Sequence, residues 1–493
     1  MKLKKLFYTG QGEIDLKKEL VNGIYLFIIA LVLIQWNADL LRTSFETNIF
    51  NAVIPVLLFM LCGFSGLFSL IQGLLYKKPL LVLPNLMLTV LISVYGTYAF
   101  GHPINNIMIS AFIAILLSFL LFLFLPEKQL QKLIPISLFQ FFPIVLGLLL
   151  VIIGSLKAGL LIRFLEPTPA TLVSTTALSE WHFPFRMGYF FQPIPMLVII
   201  GFILVSISKK KSFWNSPLAI FILLTVIGFF IPIEWGRSLS KGMVSSFQPF
   251  SFITSNFVPS NFNMFFSNWN MNAIRDFYNV LSTSPSLIRL VFLFLVTFVF
   301  SHLYQLYTCG LLMAKPAEES GGGHDPEKIM KIKSVSLLGH LFSLLGVSTN
   351  VTFFMTSAES GVAIDQSSRS GFSAVFSGLL LMATACVIPL GFFSSHAGSS
   401  FLIIYLGFSL LNRSIQPILK QKFQAYLTPV IFILVTLLTF NPAEGLVAAI
   451  LTEGIQRIVT SIHQRKLENL KDFSFLLSFT LSILYLCFYI IID

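Results

Sequence analysis

One acidic side chain stands out in a stretch of sequence that otherwise suits the interior of a membrane. Glu359 belongs to the segment Gly346–Gly371, GVSTNVTFFMTSAESGVAIDQSSRSG, where its neighbours are mostly small or carry hydroxyl groups. An ionisable group at bilayer depth costs several kcal/mol, so it is by default a candidate for a substrate or proton site. The structural alternative is an ion pair with Arg369 or another cation near a membrane edge. Glu359 is therefore our first candidate for solute binding and proton coupling.

Other groups arranged for chemistry are scarce. The four cysteines, Cys62, Cys309, Cys386 and Cys487, are scattered singly in apolar sequence without metal-binding or redox spacing. The patterns His-Glu-x-x-His and Gly-x-Ser-x-Gly are both absent from the chain. A glycine triplet in ESGGGHDPEKIMKIK is not followed by Lys-Ser/Thr, so we interpret it as a flexible linker. We therefore expect no enzyme activity, no metal site and no cofactor.

The composition indicates a membrane protein. Of the 493 residues, 56% are hydrophobic and 11% are charged, which is more apolar surface than a soluble core of this size could bury. The formal net charge of +11 comes from short basic clusters between apolar runs, so nucleic-acid binding is not indicated. Because these clusters recur after alternate runs, we expect a multi-pass protein of the cell membrane with a cytoplasmic amino terminus.

Apolar runs approaching the length of about 20 residues that spans a bilayer recur along the chain. They are Ile24–Leu41, Ala52–Leu75, Ile104–Phe124, Ile136–Ile162, Pro193–Ile207, Leu218–Ile233, Leu287–Leu306, Ser334–Leu345, Phe372–Phe393, Phe401–Leu411, Leu427–Phe440, Leu446–Ile458 and Phe473–Ile492. Two further segments, Pro79–Phe100 and Val351–Ser368, are interrupted by Pro, Gly, Ser, Thr or Asn. Interrupted spans in corresponding positions of two halves indicate a transporter's binding site, because their freed backbone groups must line a cavity or be buried in protein.

Four stretches, in order along the chain, match motifs of one transporter family. They are ELVNGIYLFIIALVLIQWNA near the start, GLLLVIIGSLKAG, the Gly346–Gly371 segment and LTFNPAEGL near the end. Each match is weak, but their order is the same as in the family. The chain thus resembles the nucleobase:cation symporters, the xanthine/uracil permease superfamily, and specifically their guanine/hypoxanthine permease branch. The residues in register are Glu19, Gly23, Phe27, Asn37, Gly147, Gly154, Ala158, Gly159, Leu438, Thr439, Phe440 and Gly445.

This resemblance implies an all-α fold of fourteen membrane segments in two inverted repeats of seven, with core and gate domains and broken third and tenth segments. The repeats would occupy residues 23–233 and 286–493, after a cytoplasmic amphipathic amino terminus over 1–22. An aromatic and polar extracytoplasmic loop, 234–285, would separate them, and the second repeat would contain a cytoplasmic loop, 315–333. The family suggests a homodimer in the lipid bilayer.

The function implied by the resemblance is purine nucleobase transport, with hypoxanthine or guanine as the solute. The movement would be of the elevator type, and the drive would be proton symport, with Na⁺ as the alternative coupling ion. In such folds the base binds between the two breaks and acidic residues of the eighth and tenth segments. Carboxylates suit a planar base because they accept its ring and amino N–H donors.

The binding-site motifs depart from the family pattern in three places. The eighth-segment acid becomes Gln305, which can hydrogen-bond a base but cannot carry a proton. In LPNLMLT of the third segment, Asn85 and Met87 replace glycines, which makes close backbone approach to a ligand harder, and Thr89 replaces an asparagine. Counting back from Arg369 places Glu359 at the tenth-segment acid position, whereas counting forward from Gly346 places Met355 there.

The resulting site prediction combines residues of three segments. The substrate-binding candidates are Glu359, Gln305, Ser360, Thr89 and Asn350, and the proton-coupling candidates are Glu359 and His302. His302 lies three residues before Gln305, on nearly the same helical face, and can titrate near neutral pH. Each polar residue has a structural alternative, since such side chains often bridge membrane helices. Ser348 and Thr352 could line the site, Tyr95 has only its position in its favour, and Asp365 and Arg369 are expected to brace the cytoplasmic end.

Two rival functions stay open on the sequence. The first is an anion carrier of the same fold, resembling sulfate permeases, in which two facing half-helix termini bind a negative ligand. The second is a degenerate family member that binds but no longer transports, which the replaced glycines and Gln305 favour. Competition for uptake by purines, and not by sulfate or dicarboxylates, would separate the permease from the anion carrier.

Overall fold

The protein is a helical multi-pass membrane protein, seen here in a computed structural model. The structure describes residues 15–42, 50–93, 97, 102–163, 185–188, 190–207, 217–231, 285–318, 332–360, 370–386, 395–418, 427–439, 441–464 and 472–490. Six of the described helices are long and apolar enough to cross a membrane. Their apolar cores lie within Leu16–Ala38, Val56–Tyr76, Ile104–Phe124, Ser137–Ala158, Ser286–Leu312 and Pro442–His463.

In the first half of the chain, the described elements are helices and short strands. Its elements are α1 (Leu16–Arg42), α2 (Phe50–Tyr76), β1 (Val82–Pro84), α3 (Leu86–Val90), α4 (Ile104–Phe124), α5 (Glu127–Gln131), α6 (Ile136–Phe139), α7 (Phe142–Ala158), β2 (Leu161–Arg163), β3 (Phe185–Met187), α8 (Pro193–Ile207) and α9 (Pro217–Phe230).

The second half begins with a long helix, and its described residues contain one short strand. Its elements are α10 (Pro285–Glu318), α11 (Ile332–Ser348), β4 (Phe354–Thr356), α12 (Gly371–Cys386), α13 (His396–Ile418), α14 (Leu427–Thr439), α15 (Pro442–Gln464) and α16 (Phe473–Ile490). The loop predicted at 234–285 lies outside the described residues except for Pro285.

Prolines and one glycine set several helix boundaries. Pro103 immediately precedes α4, and Leu125 is extended (φ −71°, ψ 131°) before Pro126, as expected because proline disfavours helical geometry in the residue before it. At the end of α7, Gly159 has φ 74°, and the amides of Gly159 and Leu160 donate to the carbonyls of Leu156 and Ser155. This is the Schellman pattern, which satisfies the last carbonyls of a helix.

Some predicted boundaries are confirmed and others shift. The observed α4 and α8 coincide with the predicted apolar runs. The amino-terminal helix α1 begins at Leu16, so Lys17 and Lys18, which were expected on the membrane surface, are already helical. Buried Glu19 of this helix accepts a hydrogen bond from the amide of Ser370 (3.1 Å) and ties α1 to the residue before α12. The helix α10 also continues through Lys315 to Glu318, into the predicted hydrophilic loop.

The predicted interruption of the third and tenth segments is confirmed. In place of continuous helices, β1 and β4 pair antiparallel, with Val82 opposite Thr356, Leu83 opposite Met355 and Pro84 opposite Phe354. Further bonds extend the ladder at both ends, from the amide of Asn85 to the carbonyl of Phe353 (2.9 Å) and from Ser357 to Leu81 (2.8 Å). Two corresponding segments that meet head to tail are what two inverted repeats produce.

Aromatic side chains pack around this strand pair. Phe354 contacts the rings of Phe64 and Phe68 edge-on, at centroid distances of 5.8 and 5.3 Å. Phe68 also stacks on Phe342 of α11 at 4.2 Å. Such contacts bury large apolar area in favourable ring geometries. The strand pair is therefore held by apolar packing from α2 and α11 as well as by its own hydrogen bonds.

The chain divides into two compact units, each of which draws on both halves of the sequence. One unit comprises Met1–Val145, Val258–Ala385 and Gln416–Asp493 and contains β1, β4, α10 and α11. The other comprises Leu146–Phe257 and Cys386–Ile415 and contains α8 and α9, together with most of α7 and of α13. Mixed units of this kind agree with a fold whose two repeats are intertwined.

Glycines allow α2 and α12 to approach closely within the first unit. A Cβ atom added to Gly66 would lie 2.6 Å from the carbonyl oxygen of Gly378, and one added to Gly378 would lie 2.6 Å from the carbonyl oxygen of Gly66. In contrast, a Cβ added to Gly310 of α10 would meet no atom within 4 Å. Small residues at such contacts let membrane helices pack backbone to backbone.

We predict that Gly66→Ala and Gly378→Ala each destabilise the protein by roughly 1–3 kcal/mol, because the added methyl group must displace backbone. The matched control Gly310→Ala should be neutral or stabilising, since it adds no clash and alanine favours helix by about 1 kcal/mol. Thermal unfolding of the purified variants in one detergent measures the difference. Equal midpoints for all three variants would show that the α2–α12 contact is not close-packed.

Candidate functional site

The site is built where the chain leaves α11 and enters β4. Asn350, with φ 55°, ends α11, and the amides of Asn350 and Val351 donate to the carbonyls of Val347 and Gly346. This is a second Schellman pattern, with asparagine in the left-handed position that glycine usually takes. Asn350, a predicted solute ligand, thus has a backbone role in turning the chain toward the strand pair.

Beyond β4, the chain makes a polar turn that contains Glu359. The hydroxyl of Ser357 donates to Oε2 of Glu359, and the hydroxyl of Ser360 donates to the carbonyl of Ser357. The carbonyl of Ser357 also accepts the thiol of Cys309 at 3.2 Å. Ser360, another predicted ligand, is fully buried and supports the turn that holds the carboxylate.

Gln305 meets this turn from α10. Its Oε1 atom accepts the backbone amide of Ala358 at 2.6 Å, so the two segments predicted to contribute the binding residues do lie side by side. Since Oε1 is engaged in this way, the Nε2 group of the same side chain points its two N–H donors away from Ala358. A donor group and a carboxylate are thereby presented from adjacent positions.

Gln305 and Glu359 are the accessible members of this polar cluster. Both residues are partly exposed, whereas Ser357, Ala358 and Ser360 are at most 4% exposed. Partial exposure of two polar groups next to a buried strand crossing is what a solute site at membrane depth requires. The geometry therefore singles out Gln305 and Glu359 among the predicted ligands.

Met355, which counting forward from Gly346 placed at the acid position in place of Glu359, has a different setting. It is a residue of β4, 1% exposed, and its sulfur lies 3.4 Å from Nδ2 of Asn85. Asn85 itself begins α3, because its Oδ1 atom accepts the amide of Leu88 at 3.1 Å in a helix-capping arrangement. The side chains of Met355 and Asn85 thus fill the crossing.

A buried hydrogen-bond network that the sequence did not reveal lies on the other side of the crossing. The hydroxyl of Thr89 donates to Oδ1 of Asn37 (2.7 Å) and lies 2.7 Å from the hydroxyl of Thr352. Asn37 in turn donates to the carbonyls of Leu33 and Pro84. Thr89, a predicted ligand, is completely buried within this network. The sequence analysis named Asn37, Thr89 and Thr352 separately but did not predict that they lie in one network.

His302 lies beside another histidine. Its ring centroid lies 4.7 Å from that of His340 on α11, a neighbour that the sequence analysis did not identify. Both rings are completely buried. His302 therefore takes part in the packing between α10 and α11.

Three residues named in the sequence analysis lie outside the described residues, namely Tyr95, Asp365 and Arg369. The ion pair proposed as the structural alternative for Glu359 is therefore not tested by the structure. In the described part of the chain, no group of three or more His, Cys, Asp or Glu side chains could hold a metal ion.

No protein-family model and no curated protein sequence matches this chain. Among solved structures, the transmembrane domain of the cyanobacterium bicarbonate transporter BicA is similar at 12% identity, with 90% of this chain and 99% of that chain covered and a TM-score of 0.46. SLC26A9 is similar at 13% identity, with 90% and 66% covered and a TM-score of 0.49. The murine Solute Carrier 26 family member A9 anion transporter, in its inward-facing state, is similar at 13% identity. The match covers 92% of this chain and 72% of that chain, with a TM-score of 0.46.

These likenesses concern the course of the backbone. All three TM-scores lie below 0.5 and no identity exceeds 13%, so no residue role passes from those transporters to this chain. One of the three is named as a bicarbonate transporter and one as an anion transporter, and none of the three is named as a nucleobase permease.

We predict that Asn350→Gly leaves the fold intact and that Asn350→Val destabilises it by about 1–2 kcal/mol, because a β-branched residue resists the left-handed conformation. Thermal unfolding checks the stability, and solute binding by the glycine variant checks the assigned role. If Asn350→Gly keeps its stability but loses solute affinity, the amide is a ligand and not only a helix terminator.

Proposed function

We propose that the protein is a secondary membrane transporter whose solute binds at Gln305 and Glu359, beside the crossing of β1 and β4. One observation carries this proposal. These two residues are partly exposed, and Gln305 accepts the amide of Ala358, the residue before Glu359, while the residues around them are buried. Polar groups that stay partly exposed at membrane depth indicate a solute pathway, because a purely structural role would favour their burial.

We propose a small anion as the solute. Where the permease pattern has glycines for close approach of a planar base, this chain has Asn85 and Met87, and the side chain of Asn85 touches Met355 inside the crossing. That filling leaves less room for a bicyclic ring than for a small oxyanion. The Nε2 donors of Gln305 and the nearby hydroxyl groups suit an oxyanion.

A proton on Glu359 would make the site compatible with an anion. An ionised carboxylate repels a negative solute, whereas a protonated carboxyl group is neutral and donates a hydrogen bond. Binding of the anion and binding of the proton would then favour each other, which is the energetic link that symport needs. We therefore propose that Glu359 carries the coupling proton, with Na⁺ as the alternative coupling ion.

A nucleobase is the second candidate solute, favoured by one feature of the site. The carboxylate of Glu359 can accept a ring N–H while Nε2 of Gln305 donates to a ring carbonyl. This pairing fits hypoxanthine or guanine in chemistry. The three solved structures described above do not support it, since their names give bicarbonate or anions, or no solute at all.

A cytoplasmic amino terminus is also part of the proposal. Lys333, at the start of α11, donates to the carbonyls of Leu123 and Leu125 at the end of α4. This contact brings Lys333 to the same side as Lys128 and Lys132, which follow α4 directly. Basic residues gathered on one side support a cytoplasmic location of that side.

Uptake into proteoliposomes tests the solute. Purified protein would be offered labelled sulfate, bicarbonate, hypoxanthine and guanine, each with an inward proton gradient and again with a protonophore. We expect accumulation of an anion that the protonophore abolishes. Accumulation of a base alone would establish the second candidate. If no solute of either class enters while ligand binding is retained, the protein is a non-transporting binding protein.

We predict that Glu359→Gln lowers gradient-driven accumulation by about tenfold or more, because coupling free energies of this kind correspond to roughly 5–150-fold effects. Exchange of solute at equal concentration and equal pH should persist, since glutamine keeps the shape of the protonated acid. The matched control is Glu453→Gln, which removes an acid paired with Arg457 on α15. Unchanged accumulation by Glu359→Gln, at equal protein content, would remove Glu359 from the coupling mechanism.

A further inference from the structure

A second titratable cluster lies in the interior, where α4, α10 and α11 pack together. His302 of α10 and His340 of α11 are both completely buried, with ring centroids 4.7 Å apart at an interplanar angle of 66°. Two histidines side by side in an apolar interface are unusual, because burial of a polar or charged imidazole costs free energy and each ring can become charged near neutral pH.

The hydrogen bonds of His340 define its neutral form. Its Nδ1 atom lies 2.7 Å from the carbonyl of Ser336, which can only accept, so Nδ1 carries the hydrogen. Its Nε2 atom then accepts from the hydroxyl of Ser118 at 2.8 Å. If Nε2 gains a proton, the hydroxyl of Ser118 can rotate and accept from it, because a hydroxyl is both donor and acceptor. His340 can therefore be protonated with both N–H groups satisfied and without movement of heavy atoms.

His302 is unlike its neighbour in its polar contacts. Within the described residues, neither of its ring nitrogens has a partner in hydrogen-bonding geometry, although the carbonyl of Ser336 lies near. This imidazole keeps a lone pair that no donor occupies. An unpartnered nitrogen at complete burial is rare in folded proteins and calls for a functional explanation.

Aromatic rings surround the pair. Phe298 stacks on His302 at 5.7 Å and meets His340 edge-on at 5.0 Å. Phe122 contacts His302 at 5.8 Å and His340 at 4.8 Å. The faces of aromatic rings attract a neighbouring cation, which offsets part of the cost of burying one positive charge on the pair. Two charges are opposed, because the imidazolium rings would repel each other at this distance in a low-dielectric interior.

We propose that His302 and His340 form an intramembrane proton-binding site that holds one proton and is energetically linked to the solute site at Gln305 and Glu359. This inference rests on the proposed function for its link, but not for the proton site itself. His302 precedes Gln305 by three residues, about 4.5 Å along a helix axis, on nearly the same face. A charge on the pair thus acts on the Glu359 turn over a short distance in protein.

The groups that face the pair do not supply a competing charge. From α4 the facing side chains are Ser118, Phe119 and Phe122, and from α10 the facing ring is Phe298. In the described part of the chain, His340 is the titratable group that acts electrostatically on His302. The two imidazoles are therefore expected to titrate as one coupled unit.

Nitrogen-15 NMR of histidine-labelled protein in lipid bilayers tests the proton site without any transport. Signals would be assigned from their loss in His302→Gln and His340→Gln, and followed between about pH 4 and pH 8. We expect His340 to show the Nδ1–H tautomer at high pH, and one proton to bind to the pair as pH falls. Each single variant should shift the midpoint of the remaining histidine by about one pH unit or more.

His102→Gln is the matched control, because His102 is bonded to Ser286 at a partly buried position away from the pair. It should leave the titration of His302 and His340 unchanged. The proposal is overturned if neither ring titrates in this range, or if each titrates identically with and without the other. Whether either ring titrates in this range can be measured on the wild-type protein alone. A variant that fails to fold therefore does not prevent the proposal from being tested.

Transport then tests the link to the solute site. His302→Gln and His340→Gln should shift the pH dependence of uptake in the same direction as the NMR midpoints, while His102→Gln should not. If the NMR titration is present but uptake of every solute is absent, the proposed function fails and the proton site stands. If uptake is proton-driven but indifferent to both variants, the link between the two sites is refuted.

Discussion

The antiparallel pairing of β1 with β4 is the constraint on which the rest of the molecule depends. Two membrane segments lose their helical hydrogen bonds at this point, and hydrocarbon offers no replacement for them. The strands satisfy each other over three residue pairs, and two further backbone bonds extend the ladder. Side chains complete it, since Ser69 bonds both backbone groups of Val82 and Ser343 donates to the carbonyl of Phe354 (2.8 Å).

This pairing also fixes where the functional groups lie. Because β4 is held in register with β1, the turn that follows it delivers Ala358 to Gln305 and leaves Glu359 beside it. The preceding turn at Asn350 and the network around Thr89 hold the other end of the crossing. Most of the polar residues here have hydrogen-bond partners within the protein. Gln305 and Glu359 differ from them because they are partly exposed.

Two kinds of polar burial coexist in the same unit. At Glu359 a carboxylate is held by a serine hydroxyl yet stays partly accessible, as a group that exchanges protons or binds a solute must be. At His302 and His340 the rings are enclosed completely by aromatic packing. In the proposed mechanism, a site of the first kind contacts the solute, whereas a site of the second kind changes the electrostatic potential around it. The helix α10 contributes Gln305 to the first site and His302 to the second, so it would respond to both solute and proton binding.

The sequence by itself determined the class of the protein, most helix positions and the two interrupted segments, because apolar length and breaks by Pro, Gly and polar residues are local properties. It also singled out Gln305 and Glu359, which the structure brings together. The chemistry of the solute could not be predicted in the same way, since the family motifs are weakened at the positions that would contact it.

Tertiary structure decided the remaining roles. Thr89 and Thr352 are separated by 263 positions, and Ser118 and His340 by 222, so no local pattern could have paired them. Asn350 and Thr89 were expected to face a solute, yet one ends a helix and the other is buried in a network. Their roles depend on which distant segment lies opposite, and that is set only when the whole chain folds.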